Sequence, residues 1–392
     1  MHDSSAPEKE NAIRKNWRRI AIALWLLPMV AIAAWVIVHP LYRSTTPIYH
    51  EAVANWWALK PVYSGSTGFN YLPVFLPFFG VFSRLPLVIC EILWRWMALA
   101  GLCFGLWKCT RFLTTRNTYR AFSIVTLLSL PISLSTLRNG QSSAQLAACL
   151  VLTAWYLYEQ RWWQATLWLS LALVCKPLGL PAIGLAAMAF PRMGWRLAIG
   201  VFLVIAVPYL VAPSAYINGL YTAFAHNIVD CFAPEGRTFA DLNGVLMAVN
   251  LRLDGMPSLV VRVVAGGAMA VVSLMTRHSM SDSKRVLAWL GLTSSYIMLF
   301  TPMNEGNSYV MLAPALGLWA WWNVENGQPR IAKLIGLMSA MMVVLPDIVG
   351  LALEKQDGSE FAKFLYPLIT LVFLGLLLRQ IRRHPSEALA SE

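Results

Sequence analysis

Apolar runs separated by short polar breaks organise the chain from residue 20 onward. They predict helices near 20–38, 86–107, 121–137, 141–158, 162–175, 178–190, 197–212, 257–276, 286–301, 308–323, 331–350 and 361–379. A run of about 20 residues, at ~1.5 Å per residue, crosses a hydrocarbon core of ~30 Å. The pattern therefore gives an all-α polytopic membrane bundle with about ten to thirteen transmembrane helices. The stretch 70–83 is short and carries Pro73 and Pro77, so a half-helix or re-entrant piece is expected there rather than a crossing. The runs 162–175 and 178–190 are also short, and the break KPLGLP (176–181) between them falls at membrane depth. Two long outer connections are expected, 39–69 and 213–256. Within the first, PIYHEAVANWWALK (47–60) places Ile48, Ala52, Trp56 and Leu59 on one helical face and Glu51, Asn55 and Ala58 on another, the pattern of an interfacial helix.

Composition agrees with the pattern: 58% of residues are apolar and 13% are charged. The net charge of +12 does not point to nucleic acid, because the basic residues sit in short clusters between apolar runs, as the positive-inside rule requires. RKNWRR (14–19), KCTRFLTTRNTYR (108–120), PRMGWR (191–196), RHSMSDSKR (277–285) and RQIRRH (379–384) are assigned to the cytoplasm. Both tails, 1–19 and 380–392, are then cytoplasmic, the first apolar run is a retained anchor, and residues 1–392 form one membrane-embedded domain. Most acidic residues fall on the outer side, where any chemistry is expected. The six cysteines suggest neither a disulfide framework nor a metal site, and His39, His50 and His226 lack metal-ligand spacing, so no cofactor and no metal are expected.

Several segments in order resemble one enzyme family. They are the helix bearing Tyr49 and Ala52, PVYSG (61–65), GFNYLPVFLPFFGVFSRLP (68–86), LRNGQSSAQLAACLVLTAW (137–155), LALVCKPLGLPAI (171–183), AHNIVDCF (225–232) with DLNGVLMAVNLRL (241–253), and LFTPMNEGNSYVMLAPAL (299–316). Together they resemble glycosyltransferase family 87, mannosyltransferases of the GT-C architecture that depend on a polyprenyl-phosphate sugar. The resemblance implies transfer of a hexose, mannose by the family pattern, from a polyprenyl-phosphate donor to a lipid or glycan acceptor on the extracytoplasmic face of the cell membrane. This chain departs from the family pattern twice. Thr45 stands where the family carries an aspartate four residues before the helix tyrosine, and Asn307 and Ser308 stand where it carries a histidine.

Such a transfer needs a base for the acceptor hydroxyl, positive charge for the departing phosphate and a groove for the prenyl chain. Glu51, the one acid of the first outer loop, and Glu305, in a short loop between two spans, are the candidate bases, Glu51 having a solvated helix face as its alternative. Arg138, Gln141 and Lys176 are the candidate phosphate ligands, although Arg138 also suits snorkelling to the headgroups. Tyr49, Tyr71, Asn139, Asn304 and Tyr309 are candidates for sugar or acceptor contacts, with Tyr63 a further stacking residue. Asp230, Glu235 and Asp241 are placed to meet acceptor hydroxyls or a cation, with a solvated loop as the alternative. Glu51, Arg138, Gln141, Lys176 and Glu305 are expected to converge on one outer cavity. A transporter or flippase for a lipid-linked saccharide, or an inactive relative, is the competing reading; a transporter usually shows paired repeats, and none is evident.

Overall fold

The computed structural model describes residues 6–65, 68–114, 117–232, 238–352 and 359–383. Every regular element among them is helical. In order they are α1 (Ala6–Val38), α2 (Thr46–Trp57), α3 (Phe75–Phe82), α4 (Leu87–Leu113), α5 (Thr118–Asn139), α6 (Ser143–Tyr158), α7 (Trp162–Cys175), α8 (Gly179–Ala189) and α9 (Gly194–Ala206). They continue with α10 (Ser214–Phe232), α11 (Leu242–Leu246), α12 (Gly255–Ser279), α13 (Asp282–Phe300), α14 (Ala313–Glu325), α15 (Pro329–Ala352) and α16 (Ser359–Arg383).

Among the described residues, seven helical segments are long and apolar enough to cross a membrane: Asn11–Val38, Leu87–Leu113, Thr118–Asn139, Pro191–Leu210, Gly255–Ser279, Pro329–Ala352 and Phe361–Arg382. The shorter apolar helices α6, α7 and α8 pack inside or against them. Helix α6 is buried without interruption from Ser142 to Ala154, so protein rather than lipid surrounds it, and its 16 residues need not match the bilayer thickness. It approaches α4 closely because Gly101 and Gly105 have no side chains. A Cβ at either would lie 2.9 Å from Ala148 or Val151, the close approach that small residues four apart allow.

Two departures from the expected pattern matter for the site. The connection 213–256 is helical over its first half, as the 19-residue α10. Helix α2 forms as expected, but it turns Tyr49, Ala52, Val53 and Trp56 into an aromatic cluster and leaves Trp57 and Leu59 exposed. Helix α3, eight residues long, lies within the stretch expected to be re-entrant. Phe75 and Phe79 of α3 meet the Tyr49 ring at 5.0 and 5.3 Å, and Phe79 meets Trp94 of α4 edge-on at 5.0 Å. These offset and edge-on contacts lock α2, α3 and α4 into one block.

Candidate functional site

Breaks between helices, rather than helix interiors, bring polar groups together. A cavity of about 260 Å³ is lined by Thr45 and Tyr49 at the start of α2, Asn70 and Tyr71 before α3, and Gln141 in the α5–α6 turn. Lys176 in the α7–α8 turn, Cys231 of α10, and Phe239, Met303 and Glu305 close it. Each break follows from local sequence. Gly140 ends α5 in the left-handed region at φ +66°, where a Cβ would sit 3.0 Å from the Arg95 guanidinium. Pro177 follows Lys176, which holds the lysine in extended backbone at φ −161° and ends α7 there. Glu305 starts the short 3-10 segment Gly306–Met311 with a reciprocal cap, its side chain accepting from the Ser308 amide while its own amide donates to Ser308 Oγ at 3.3 Å. The cap fixes the Glu305 carboxylate at the exposed mouth of the cavity.

The two tyrosines form the inner wall. Tyr49 OH shares a 2.8 Å hydrogen bond with Tyr71 OH and accepts from the Ser142 amide at 3.2 Å. That amide stands at the start of α6, so the tyrosine hydroxyl occupies a donor that a helix N-terminus could otherwise offer an anion. Lys176 Nζ donates to Ser143 Oγ at 2.9 Å. Burial lowers Lys176 to about 8, against the opposing pull of Glu305, whose charge favours the ammonium form. Gln141 Oε1 is buried with no hydrogen-bond partner among the described residues, so the cavity holds an acceptor that a ligand hydroxyl can satisfy.

Of the residues singled out from sequence, Gln141, Lys176, Glu305, Tyr49 and Tyr71 meet at this cavity, whereas Glu51, Tyr63, Arg138, Asn139, Asp241, Asn304 and Tyr309 do not line it. Glu51 is exposed on α2 and absent from the cavity wall, because the burial of Tyr49 and Thr46 fixes the helix rotation. Arg138 lies in the last turn of α5, before Gly140 reverses the chain, and its Nε donates to Asn139 Oδ1 at 3.2 Å. Asn139 contributes its carbonyl to the Thr45 amide at 2.9 Å and so anchors α2 from behind. Asn304 is fully buried and its Nδ2 caps the end of α13 through the carbonyls of Ile297 (2.7 Å), Met298 and Thr301 (both 3.1 Å). Tyr309 is fully buried too, donating to the Ala240 carbonyl at 3.0 Å. Tyr63 donates to the Tyr71 carbonyl at 2.8 Å and does not line the cavity. Glu235 and the side chain of Asp230 lie outside the described residues.

Behind the tyrosine wall lies a buried charged group on α4. Arg95 Nη1 pairs with Glu91 Oε2 at 2.5 Å, while its Nε donates to the Arg138 carbonyl at 2.8 Å and its Nη2 to Ser44 Oγ at 2.9 Å. Glu91 also accepts from Thr46 Oγ1 at 2.8 Å and meets His50 Nε2 at 3.1 Å. The signal was legible as Glu and Arg four apart in an apolar helix. His50, Cys90 and Glu91 also bring three metal-ligand atoms within 4.8 Å of one another. Both Glu91 oxygens are already engaged, and the group acts as a clamp fastening the start of α2 to α4 and to the end of α5.

A second opening bears on the first. An apolar groove of about 480 Å³ runs between α3, α7 and α9, lined by residues such as Phe78, Leu167, Leu171, Val174 and Leu203. Val174 of its wall is two residues from Lys176 and Val74 three from Tyr71, so groove and cavity draw on the same two chain segments. Leu167 and Leu203 are exposed on the outside of the bundle, so the groove opens sideways.

A bundle that is all-helical among the described residues, with seven membrane-length helical segments there, defines the class as a polytopic helical membrane protein. Its sequence matches the family model of Glycosyltransferase family 87 over residues 69–346, more than half of the chain, and the protein belongs to that family. It is therefore a membrane glycosyltransferase by family. No curated protein and no solved structure matches the chain.

Proposed function

We propose that the protein transfers a hexose, mannose by the family pattern, from a polyprenyl-phosphate donor to a lipid or glycan acceptor at the extracytoplasmic face of the cell membrane, with both termini cytoplasmic. One observation carries the reading: a lysine and a carboxylate, from segments far apart in sequence, line the same cavity. In this scheme Lys176 neutralises the phosphate that leaves, and Gln141 hydrogen-bonds the donor headgroup. Glu305 takes the proton from the acceptor hydroxyl as that oxygen attacks the anomeric carbon. Tyr49 and Tyr71 form the wall against which the sugar rests, and the groove takes the prenyl chain. Thr45 lines the cavity at the position where the family places an aspartate, so the base role passes to the carboxylate that the cavity does hold.

Purified protein in liposomes given radiolabelled polyprenyl-phosphate-mannose should transfer label, and given a nucleotide sugar should not. Transfer from the nucleotide sugar alone would overturn the donor assignment; transfer from neither would identify an inactive relative. Phosphate binding stabilises the ammonium form of Lys176, so by linkage donor affinity should fall as pH rises through about 8. Measured as donor KM between pH 7 and pH 9.5, that rise should vanish in Lys176→Met, whose KM should already be high at neutral pH. An unchanged pH profile in the variant would remove Lys176 from the phosphate.

A further inference from the structure

Phe239, Pro302 and Met303 belong to two cavities at once. On one side they close the cavity that holds Glu305 and Lys176, and on the other they bound a small polar pocket that contains Asp241, Asn243, Arg252, Asp254 and Arg262. Its free space is about 20 Å³, enough for one or two hydroxyl-sized groups and too little for a whole ring. Met303 holds the partition in the left-handed region at φ +60°, a strained conformation for a side-chain-bearing residue and one that clusters at active sites, ligand clamps and switch regions.

The charges in the pocket cancel in pairs. Arg252 Nε lies 2.7 Å from Asp254 Oδ2, and Arg262 Nη2 lies 3.8 Å from Asp241 Oδ2. Arg262 is further held by Ser258 Oγ at 3.0 Å and the Phe300 carbonyl at 3.1 Å. Asp241 is oriented by the Asn243 amide at 3.0 Å, and Asn243 clamps residue 253 through both its side-chain atoms, at 2.9 and 3.0 Å. Carboxylates that only accept and guanidinium groups that only donate thus alternate around one small space. A phosphate or carboxylate ligand would meet two acids and gain little net attraction. A hydroxyl both donates and accepts, so it satisfies both kinds of group, and the face of Phe239 offers an apolar surface for the carbon side of a sugar ring.

We propose that this pocket is the acceptor subsite and that it takes the hydroxyl edge of a neutral saccharide. The assignment rests on the transferase reading of the adjoining cavity. With two hydroxyls of an acceptor sugar held by Asp241, Arg262, Asp254 and Arg252, the rest of the ring lies across the Met303 partition. A further hydroxyl then faces Glu305, two residues along the same loop. The acceptor would accordingly be a glycolipid or glycan that ends in an uncharged pyranose, rather than one recognised by an anionic headgroup.

Saturation-transfer NMR on the full-length protein in nanodiscs, with methyl α-mannoside and separately with glycerol phosphate as probes, tests the pocket without needing turnover. The mannoside should bind and glycerol phosphate should not compete with it. Asp254→Asn and Arg252→Gln change an exposed pair and should leave the fold intact, as tryptophan-fluorescence melting checks, yet each should weaken mannoside binding about tenfold. Asp241→Asn should do the same. Mannoside binding that ignores all three substitutions but is lost in Gln141→Ala would place the sugar in the donor cavity and overturn the subsite. Tighter binding of glycerol phosphate than of mannoside would overturn the neutral-saccharide assignment. A wild type that binds mannoside in this way, yet transfers sugar from no donor, would overturn the transferase reading and leave the pocket standing as a saccharide site.

Discussion

Glu305→Gln should lower turnover by about 10²–10⁴-fold with little change in donor KM, whereas Glu51→Gln should transfer sugar at close to the wild-type rate. The contrast follows from placement. Glu305 lines the cavity next to the lysine whose protonated form it favours, while Glu51 stands exposed on α2 and does not line it. Glutamine preserves size and still accepts a hydrogen bond from the Ser308 amide, so the cap survives and only the proton acceptor is lost. Single-turnover assays with a lipid-linked donor would separate the two. Near-normal rates in Glu305→Gln would remove it as the base, and a collapse in Glu51→Gln alone would mean that α2 rotates when substrate binds.

The largest expected effect on stability lies behind the cavity. Arg95→Met leaves the Glu91 carboxylate buried in α4 without its cationic partner and removes the hydrogen bonds to Ser44 and to the Arg138 carbonyl. Loss of one partner of a buried ion pair costs about 3–5 kcal/mol. The melting temperature in detergent, followed by tryptophan fluorescence, should therefore drop clearly. Removing both charges in Glu91→Leu/Arg95→Met should recover much of the loss, because no unpaired charge then remains. A single variant that melts with the wild type would show that His50 and Thr46 suffice to hold Glu91, and that the ion pair adds nothing to the clamp.

The helices were legible because the apolar runs are long and the breaks between them sharp. Helix α10 was not, since SAYINGLYTAFAHNIVDCF mixes Asn218, Thr222, His226 and Asn227 among its apolar residues and reads as a connection. The site divides along a similar line. Gln141, Lys176 and Glu305 each mark a break in an apolar pattern, and a polar side chain at such a break has few places to go other than a cavity or the surface. Glu51 stands off the cavity, which the sequence could not show, because period alone gives the faces of a helix and not which face turns inward. The aromatic packing of Tyr49 and the pinning of Thr46 by Glu91 set that rotation, and both are tertiary. Asn304 and Tyr309 resemble ligand contacts in sequence, yet the Asn304 amide nitrogen is spent on carbonyls at the end of α13 and the Tyr309 hydroxyl on the loop carbonyl of Ala240.

The sideways opening of the groove between α7 and α9 bears on how a rate should be counted. A ligand that arrives through that opening travels in two dimensions, and the enzyme meets it at its mole fraction in the bilayer, whatever its amount per litre. Adding inert phospholipid to vesicles at fixed total donor should then slow transfer as dilution within the plane proceeds, whereas adding buffer at a fixed lipid ratio should leave the turnover per enzyme unchanged.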